Sequence, residues 1–169
     1  MSQRYTRPAA TTRNSLRSLR PSSRSARRHA RLCLTAFALA GAQAHADLLP
    51  AQISADAVPQ PLSATPGDAA HGRALLLARE NANCILCHAI PEARFSGNLG
   101  PALDGIGARL SAAQLRLRVA DNRRVHPATI MPSYFRSEGL TGVAAQYRGK
   151  TVLTAQEVED VVAYLQTLR

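Results

Sequence analysis

The region from about residue 67 to the carboxyl terminus is predicted to form one all-α domain. Two stretches in it, Ser111–Gln114 and Thr154–Glu157, have the pattern of a helix capping box. In this pattern the Ser or Thr hydroxyl accepts the backbone N–H of the residue three positions later, and the Gln or Glu side chain of that residue accepts the backbone N–H of the Ser or Thr. No stretch of useful length alternates apolar and polar residues as a half-buried strand does. We therefore expect three or more helices connected by long loops.

Three of these helices can be placed in order along the chain. The first is expected after Asp68, a candidate N-cap, and continues to Glu80. The second begins at Ser111 and ends near Asn122. The third follows Thr154 and is the most regular, because apolar residues recur in it every three or four positions: Val158, Val161, Val162, Leu165 and Leu168.

Residues 1–46 have the composition of a secretory signal peptide. They contain nine arginines and no acidic residue, a short apolar run at 32–42, and a small-x-small cleavage site that ends at Ala46. The apolar run is too short to cross a bilayer. We therefore predict export to the periplasm, with cleavage near Ala46.

The net charge of +10 comes almost entirely from this first segment. From residue 47 onward there are twelve basic and eleven acidic residues, so the rest of the chain is close to neutral. The total charge is therefore no support for a nucleic-acid-binding function.

Residues 47–66 are predicted to form an extended arm that precedes the domain. They are rich in alanine and proline and show no clear helical period. Such a segment is either a mobile terminus or a strap that lies over the domain or over a partner. The compact domain is expected to span residues 67–169.

The pentapeptide Cys84-Ile85-Leu86-Cys87-His88 has the C-x-x-C-H spacing of covalent haem attachment. Each thiol can form a thioether with a haem vinyl group, and the adjacent imidazole then becomes an axial ligand of the iron. A zinc site would need further ligands at suitable spacing, and the sequence offers none. Cys84 and Cys87 could form a disulfide after export, but the following histidine favours one covalent haem c per chain.

Met131 is the leading candidate for the sixth iron ligand. It is the only methionine after the initiator, and it lies in a loop bounded by Pro127 and Pro132, whose fixed backbone dihedral can hold a thioether in place. His126 is the second candidate, whereas His71 is expected to be a solvated residue of the first helix. Thioether ligation favours reduced iron and raises the reduction potential.

An axial histidine usually donates its other ring N–H to an acceptor that orients the ring. We predict that the carbonyl of Pro101, in the Gly100–Leu103 segment, has this role for His88. Four apolar residues near this segment are expected either to line the haem or, more simply, to fill the core: Leu99, Leu103, Ile106 and Leu110.

Several arginines cluster around the second predicted helix. They could pair with haem propionates, with an acidic partner surface or with an anionic substrate. The simpler expectation for each is a solvated helix face, because exposed charges are the usual case. The set comprises Arg109, Arg116, Arg118, Arg123 and Arg124.

With these residues in place, the chain resembles a class I cytochrome c and, more closely, the SoxX family of monohaem subunits of the SoxAX complex. The resemblance covers residues from about 67 to 169. Beyond the haem motif and the methionine loop, it depends on these segments: Gly72–Leu75, Gly100–Gly107, Ile130–Tyr134, Tyr147–Lys150 and Glu157–Leu165.

The resemblance implies a class I cytochrome c fold with Cys84 and Cys87 bonded to haem c and with His88 and Met131 on the iron. It also implies a SoxA-type haem subunit as partner in a heterodimer, the SoxYZ carrier, and a small cytochrome c as electron acceptor. The chain would be a subunit of the L-cysteine S-thiosulfotransferase that is not active alone, and no catalytic residue is expected in it.

Two other functions share the same haem residues. One is a free periplasmic electron carrier with a different partner. The other is a haem sensor or gas-binding protein, which needs an open or displaceable sixth position on the iron.

Overall fold

The computed structural model describes residues 47–80, 82–91 and 93–169. The predicted signal peptide at 1–46 lies outside the described residues. From residue 47 onward the chain belongs to one compact unit. No helix in the described part of the chain is long and apolar enough to cross a membrane.

Helices dominate the fold. The α-helices are α1 (Ala69–Leu77), α2 (Ile106–Arg109), α3 (Ala112–Asp121) and α4 (Ala155–Thr167). Short 3-10 turns occur at Pro50–Gln52, Cys84–Leu86, Asn122–Arg124 and Ala145–Tyr147. The described residues form no strand beyond one isolated bridge between Ser54 and Ala57. The all-α prediction is confirmed.

The predicted helix starts are confirmed by side-chain caps. The Asp68 carboxylate accepts the backbone N–H groups of Ala70 and His71 at 2.8 and 3.3 Å. Ser111 and Thr154 each form a complete capping box. The end of the first helix was predicted too late, because the backbone becomes extended at Ala78 and leaves the helical path.

Helix α4 is the centre of the packing, since α1, α2 and α3 all contact it. The crossing with α1 is so close that a Cβ on Gly72 would overlap the carbonyl oxygen of Asp160, so glycine is needed at this point. The buried faces of the helices meet in one apolar cluster, which includes Leu76, Leu115, Leu117, Val158, Val161, Val162 and Leu165.

A buried ion pair joins α3 to α4. Arg116 and Glu159 are 5% and 6% exposed, and the guanidinium donates to both carboxylate oxygens, at 2.6 Å from Nε and 2.8 Å from Nη2. Arg116 also donates to the carbonyl of Val58 at 2.7 Å, and Glu159 accepts the backbone N–H of Leu62 at 2.9 Å. The pair therefore also fixes the arm at 47–66, in which Val58 is fully buried.

Most of the arginines that cluster around α3 form hydrogen bonds or ion pairs within the domain. Arg116 is neither on a solvated face nor free for haem or partner, because it is enclosed between two helices and the arm. Arg118 pairs with Asp56 at 3.2 Å, and Arg109 donates to the carbonyl oxygen of Asp104 at 2.6 Å. Arg124 contacts Asp121, whereas Arg123 is exposed.

His71 lies on α1 as predicted, but it is not simply solvated. Its side chain is half-exposed, and Nδ1 lies 2.7 Å from Oδ2 of Asp160 on α4. The hydrogen bond to Asp160 raises the pKa of His71 above its ordinary value of 6.5. Burial acts to raise the pKa of Asp160, but hydrogen bonds from Asp68, His71 and Gln156 bring it below its ordinary 3.8.

Replacing Arg116 with methionine should lower the free energy of unfolding by about 3–5 kcal/mol, because Glu159 would stay buried without a partner charge. Urea unfolding of the two proteins measures the difference. The matched control is Arg118→Gln, which breaks a more exposed ion pair and should cost less than about 1 kcal/mol. Equal losses in the two variants would contradict a special role for the buried pair.

The pair of His71 and Asp160 should make stability depend on pH. Because the folded pKa of His71 is raised, its contribution is complete below about pH 6.5 and is lost as the pH rises through the raised value. The stability lost in His71→Gln should therefore be larger at about pH 5.5 than at about pH 8.5. Urea unfolding at both pH values measures it, with the exposed His126→Gln as control; a difference independent of pH would refute the ion pair.

Candidate functional site

The predicted haem-attachment segment is a tight turn. Asn83 adopts a left-handed conformation with φ 53°, which asparagine tolerates better than most residues, and the 3-10 turn Cys84–Leu86 follows it. The backbone N–H of His88 donates to the carbonyl of Cys84 at 3.0 Å. This turn brings Cys84, Cys87 and His88 together within one short stretch.

Both cysteines are half-buried free thiols. Burial raises the pKa of the Cys84 thiol to about 11. A catalytic cysteine needs a lowered pKa, because the thiolate is the nucleophile. Cys84 is therefore not activated for nucleophilic catalysis.

A second loop runs alongside the attachment segment and is hydrogen-bonded to it at three points. The N–H groups of Gly97, Gly100 and Leu103 donate at 2.8, 2.8 and 2.9 Å to carbonyls on the attachment side. Their acceptors are Ile85, Cys87 and Ala89, respectively. The Gly100–Leu103 stretch is thereby held against the histidine.

This loop orients His88. Its Nδ1 lies 2.7 Å from the carbonyl oxygen of Pro101, so that Nδ1 carries the proton and Nε2 keeps a free lone pair. A Cβ on Gly100 would lie 2.5 Å from Cε1 and 2.8 Å from Nδ1 of the ring. Only glycine at position 100 leaves room for the imidazole in this orientation.

The loop that carries Met131 is tied to the attachment segment. Met131 is partly buried and packs against the apolar core. Three residues later, the hydroxyl of Tyr134 donates to the carbonyl of Ala82 at 2.7 Å. The two other ligand candidates lie elsewhere: His126 is exposed after α3, and His71 is held by Asp160.

Comparisons with known proteins identify the family. The cytochrome c family model matches residues 69–169, which is more than half of the chain. The chain belongs to the cytochrome c family. A chain in the crystal structure of SoxXA from P. pantotrophus is 32% identical, with a TM-score of 0.63, and the match covers 73% of this chain and 98% of that one. The comparison with curated proteins gave no match.

Together these findings support a SoxX-type cytochrome c with the class I fold. Membership of the cytochrome c family implies covalently bound haem c, which confirms the predicted cofactor. Among the described residues, no group of three histidine, cysteine or acidic side chains could hold a metal ion without haem.

The residues of this cytochrome fit a haem in the region of Cys84, His88 and Met131. Two thiols, one oriented imidazole and one thioether form the donor set of a His/Met haem c. Large apolar side chains on the neighbouring segments are unusually exposed: Phe95 is 74%, Leu99 is 67% and Ile130 is 72% exposed. These exposed side chains are available to contact a haem or a partner.

This exposure corrects one expectation for the core. Leu99 does not fill the core, because it lies at the surface of the loop between His88 and Pro101. Leu103 is buried as expected, and Ile106 and Leu110 are partly buried against the core cluster.

Sequence reasoning missed the residues that hold the methionine loop. The hydroxyl of Ser133 donates to buried Asp121 at 2.6 Å, and Thr129 accepts the backbone N–H of Met131 at 3.2 Å. Tyr134 was noted only as part of the SoxX-like segment Ile130–Tyr134. Polar residues on both sides of a Met-Pro pair were the available signal, but their partners are set by tertiary contacts.

Replacing Gly100 with alanine should displace the His88 ring, because the added methyl group and the imidazole cannot occupy the same space. We expect a several-fold lower yield of covalently attached haem and an altered absorption spectrum in the protein that does form. The haem-to-protein ratio and the optical spectrum measure both effects. The exposed neighbour Asn98→Ala is the control, and an unchanged ratio and spectrum in Gly100→Ala would show that the close contact is not required.

Proposed function

We propose that this cytochrome is the electron-transfer subunit of a periplasmic SoxAX-type complex. It accepts electrons released when thiosulfate is joined oxidatively to a cysteine of the SoxYZ carrier, and it passes them to a small cytochrome c. The observation that carries the proposal is the 32% identity to a chain of SoxXA over 98% of that chain's length. The SoxA-type haem subunit is the partner in this assignment.

Four residues would hold the cofactor. Cys84 and Cys87 would form the two thioethers, and His88 Nε2 and the sulfur of Met131 would bind the iron. When bound, the haem iron supplies one-electron redox chemistry. The geometry at Pro101 supports this assignment, because its carbonyl keeps the proton on Nδ1 of His88 and leaves Nε2 as the ligand atom.

The residues of the chain favour electron transfer over catalysis. A thioether from Met131 stabilises reduced iron and so raises the potential, as an electron acceptor requires. The formation of the sulfur–sulfur bond is assigned to the partner, and the chain is a subunit of the L-cysteine S-thiosulfotransferase that is inactive alone.

The electron balance sets a requirement for the acceptor. Joining the terminal sulfur of thiosulfate to a cysteine thiolate forms one S–S bond and releases two electrons. A single haem iron takes one electron at a time. The second electron therefore needs a further site, which the haem of the SoxA-type partner or the small cytochrome c would supply.

The proposed compartment depends on the first segment of the sequence. Residues 1–46 would direct export and be removed near Ala46, which leaves the arm at 47–66 and the haem domain at 67–169 as the mature protein. Haem c is attached on the exported side of a membrane. The periplasm is thus the compartment in which the chain would acquire its cofactor and meet its partners.

The function is tested with the full chain isolated from native periplasm. We expect it to co-purify with a second, SoxA-type haem subunit, and the haem of this complex to become reduced when thiosulfate and the SoxYZ carrier are added together. Met131→Ala should abolish the sulfur-to-iron band in the far red and slow this reduction at least tenfold, whereas the exposed Gln146→Ala should keep the band. A lone monomer that is reduced equally without the carrier would favour a free electron carrier instead.

A further inference from the structure

The carboxyl end of α3 holds the loop that carries Met131. The carbonyl oxygen of Ala120 accepts the backbone N–H of Phe135 at 2.9 Å. The next residue, Asp121, is 2% exposed and accepts the hydroxyl of Ser133 at 2.6 Å. These two contacts fix the part of the loop that follows the methionine.

Asn122 fixes the part that precedes it. Its side-chain Nδ2 donates to Oγ1 of Thr129 at 3.2 Å, and the same oxygen accepts the backbone N–H of Met131 at 3.2 Å. The backbone carbonyl of Asn122 also accepts the N–H of His126 at 2.8 Å. The side chain and the main chain of one residue therefore both define the turn that leads to Met131.

The other end of the Asn122 carboxamide is unusual. Its Oδ1 is buried and has no hydrogen-bond partner within the described part of the chain. Buried polar atoms are nearly always satisfied, so an exception calls for an explanation. Helix capping does not supply one, because the unpaired groups at the carboxyl end of a helix are carbonyls, and Oδ1 is itself an acceptor.

The chemistry of Thr129 lets the amide face the loop in two ways. The threonine oxygen accepts two hydrogen bonds and still carries its own proton. If the Asn122 carboxamide is turned over, Thr129 donates to Oδ1, and the amide NH₂ becomes the buried group without a hydrogen-bond partner. The link between Asn122 and Thr129 persists in both orientations, and each leaves one polar amide atom buried next to the methionine loop.

We propose that Asn122 is a positioning residue for Met131, acting through Thr129, and that it strengthens the bond between the methionine sulfur and oxidised iron. The inference rests on the proposed ligation by Met131. A thioether binds oxidised iron less well than reduced iron, so the oxidised state depends more on a loop that is held in place. Residues that orient a metal ligand tune the metal in this way.

Two substitutions at Thr129 test the link without changing α3. Thr129→Val keeps the shape of the side chain but removes the oxygen that both Asn122 and Met131 use. Thr129→Ser keeps that oxygen. Asn122→Ala removes the other end of the link, and the exposed Gln146→Ala is the matched control for loss of an amide.

The readouts are the far-red sulfur-to-iron band of the oxidised protein and the midpoint potential by redox titration. We expect Thr129→Val and Asn122→Ala to weaken or shift the band and to raise the equilibrium constant for reduction about tenfold, because the oxidised state loses more stability than the reduced state. This raises the midpoint potential by about 59 mV for one electron. Thr129→Ser and Gln146→Ala should resemble the original protein. Urea unfolding is measured in parallel, so that a loss of stability alone is recognised.

The two proposals fail in different ways. An unchanged band and potential in both Thr129→Val and Asn122→Ala would overturn the positioning role while leaving Met131 as the ligand. Absence of the band from the original protein would overturn ligation by Met131 and this inference together. A Thr129→Ser variant as strongly affected as Thr129→Val would also refute it, since the shared oxygen would then not be the cause.

Discussion

The buried ion pair between Arg116 and Glu159 is the contact on which the arrangement of the domain depends. Burying two charges is unfavourable unless every donor and acceptor is satisfied. Here the guanidinium reaches both carboxylate oxygens and the carbonyl of Val58, and the carboxylate also receives the N–H of Leu62. Because α3, α4 and the arm each supply a part, the three must come together at once.

The geometry of the haem site depends on this packing of the helices. Helix α1 packs closely against α4 at Gly72, and the chain after α1 continues into the attachment turn at Cys84. The other end of α3 holds the methionine loop through Asp121 and Asn122. The hydrogen bond from Tyr134 to Ala82 then joins the two ligand-bearing segments directly. Helix packing and this hydrogen bond thus both connect the segments that carry His88 and Met131.

Local features were predicted well, and features that depend on distant partners were not. The caps at Asp68, Ser111 and Thr154 are confirmed, because a cap and its N–H partners are three residues apart or closer. The short helix α2 was missed, since it has only four residues and begins at Gly105 without a side-chain cap. The predicted role of Arg116 was wrong, because its partner Glu159 lies 43 residues away in the sequence.

The helical class, the haem-attachment motif and the family-like segments can be predicted without a structure, because they follow from residue spacing within one or two helical turns or within one pentapeptide. Tertiary structure alone decided that Arg116 is buried, that Leu99 is exposed, and that the arm is fastened over α3 and α4. It also decided which polar groups hold the loop of Met131. The physical reason is that local hydrogen bonds are encoded by neighbouring residues, whereas the loss of water around a side chain depends on everything that packs over it.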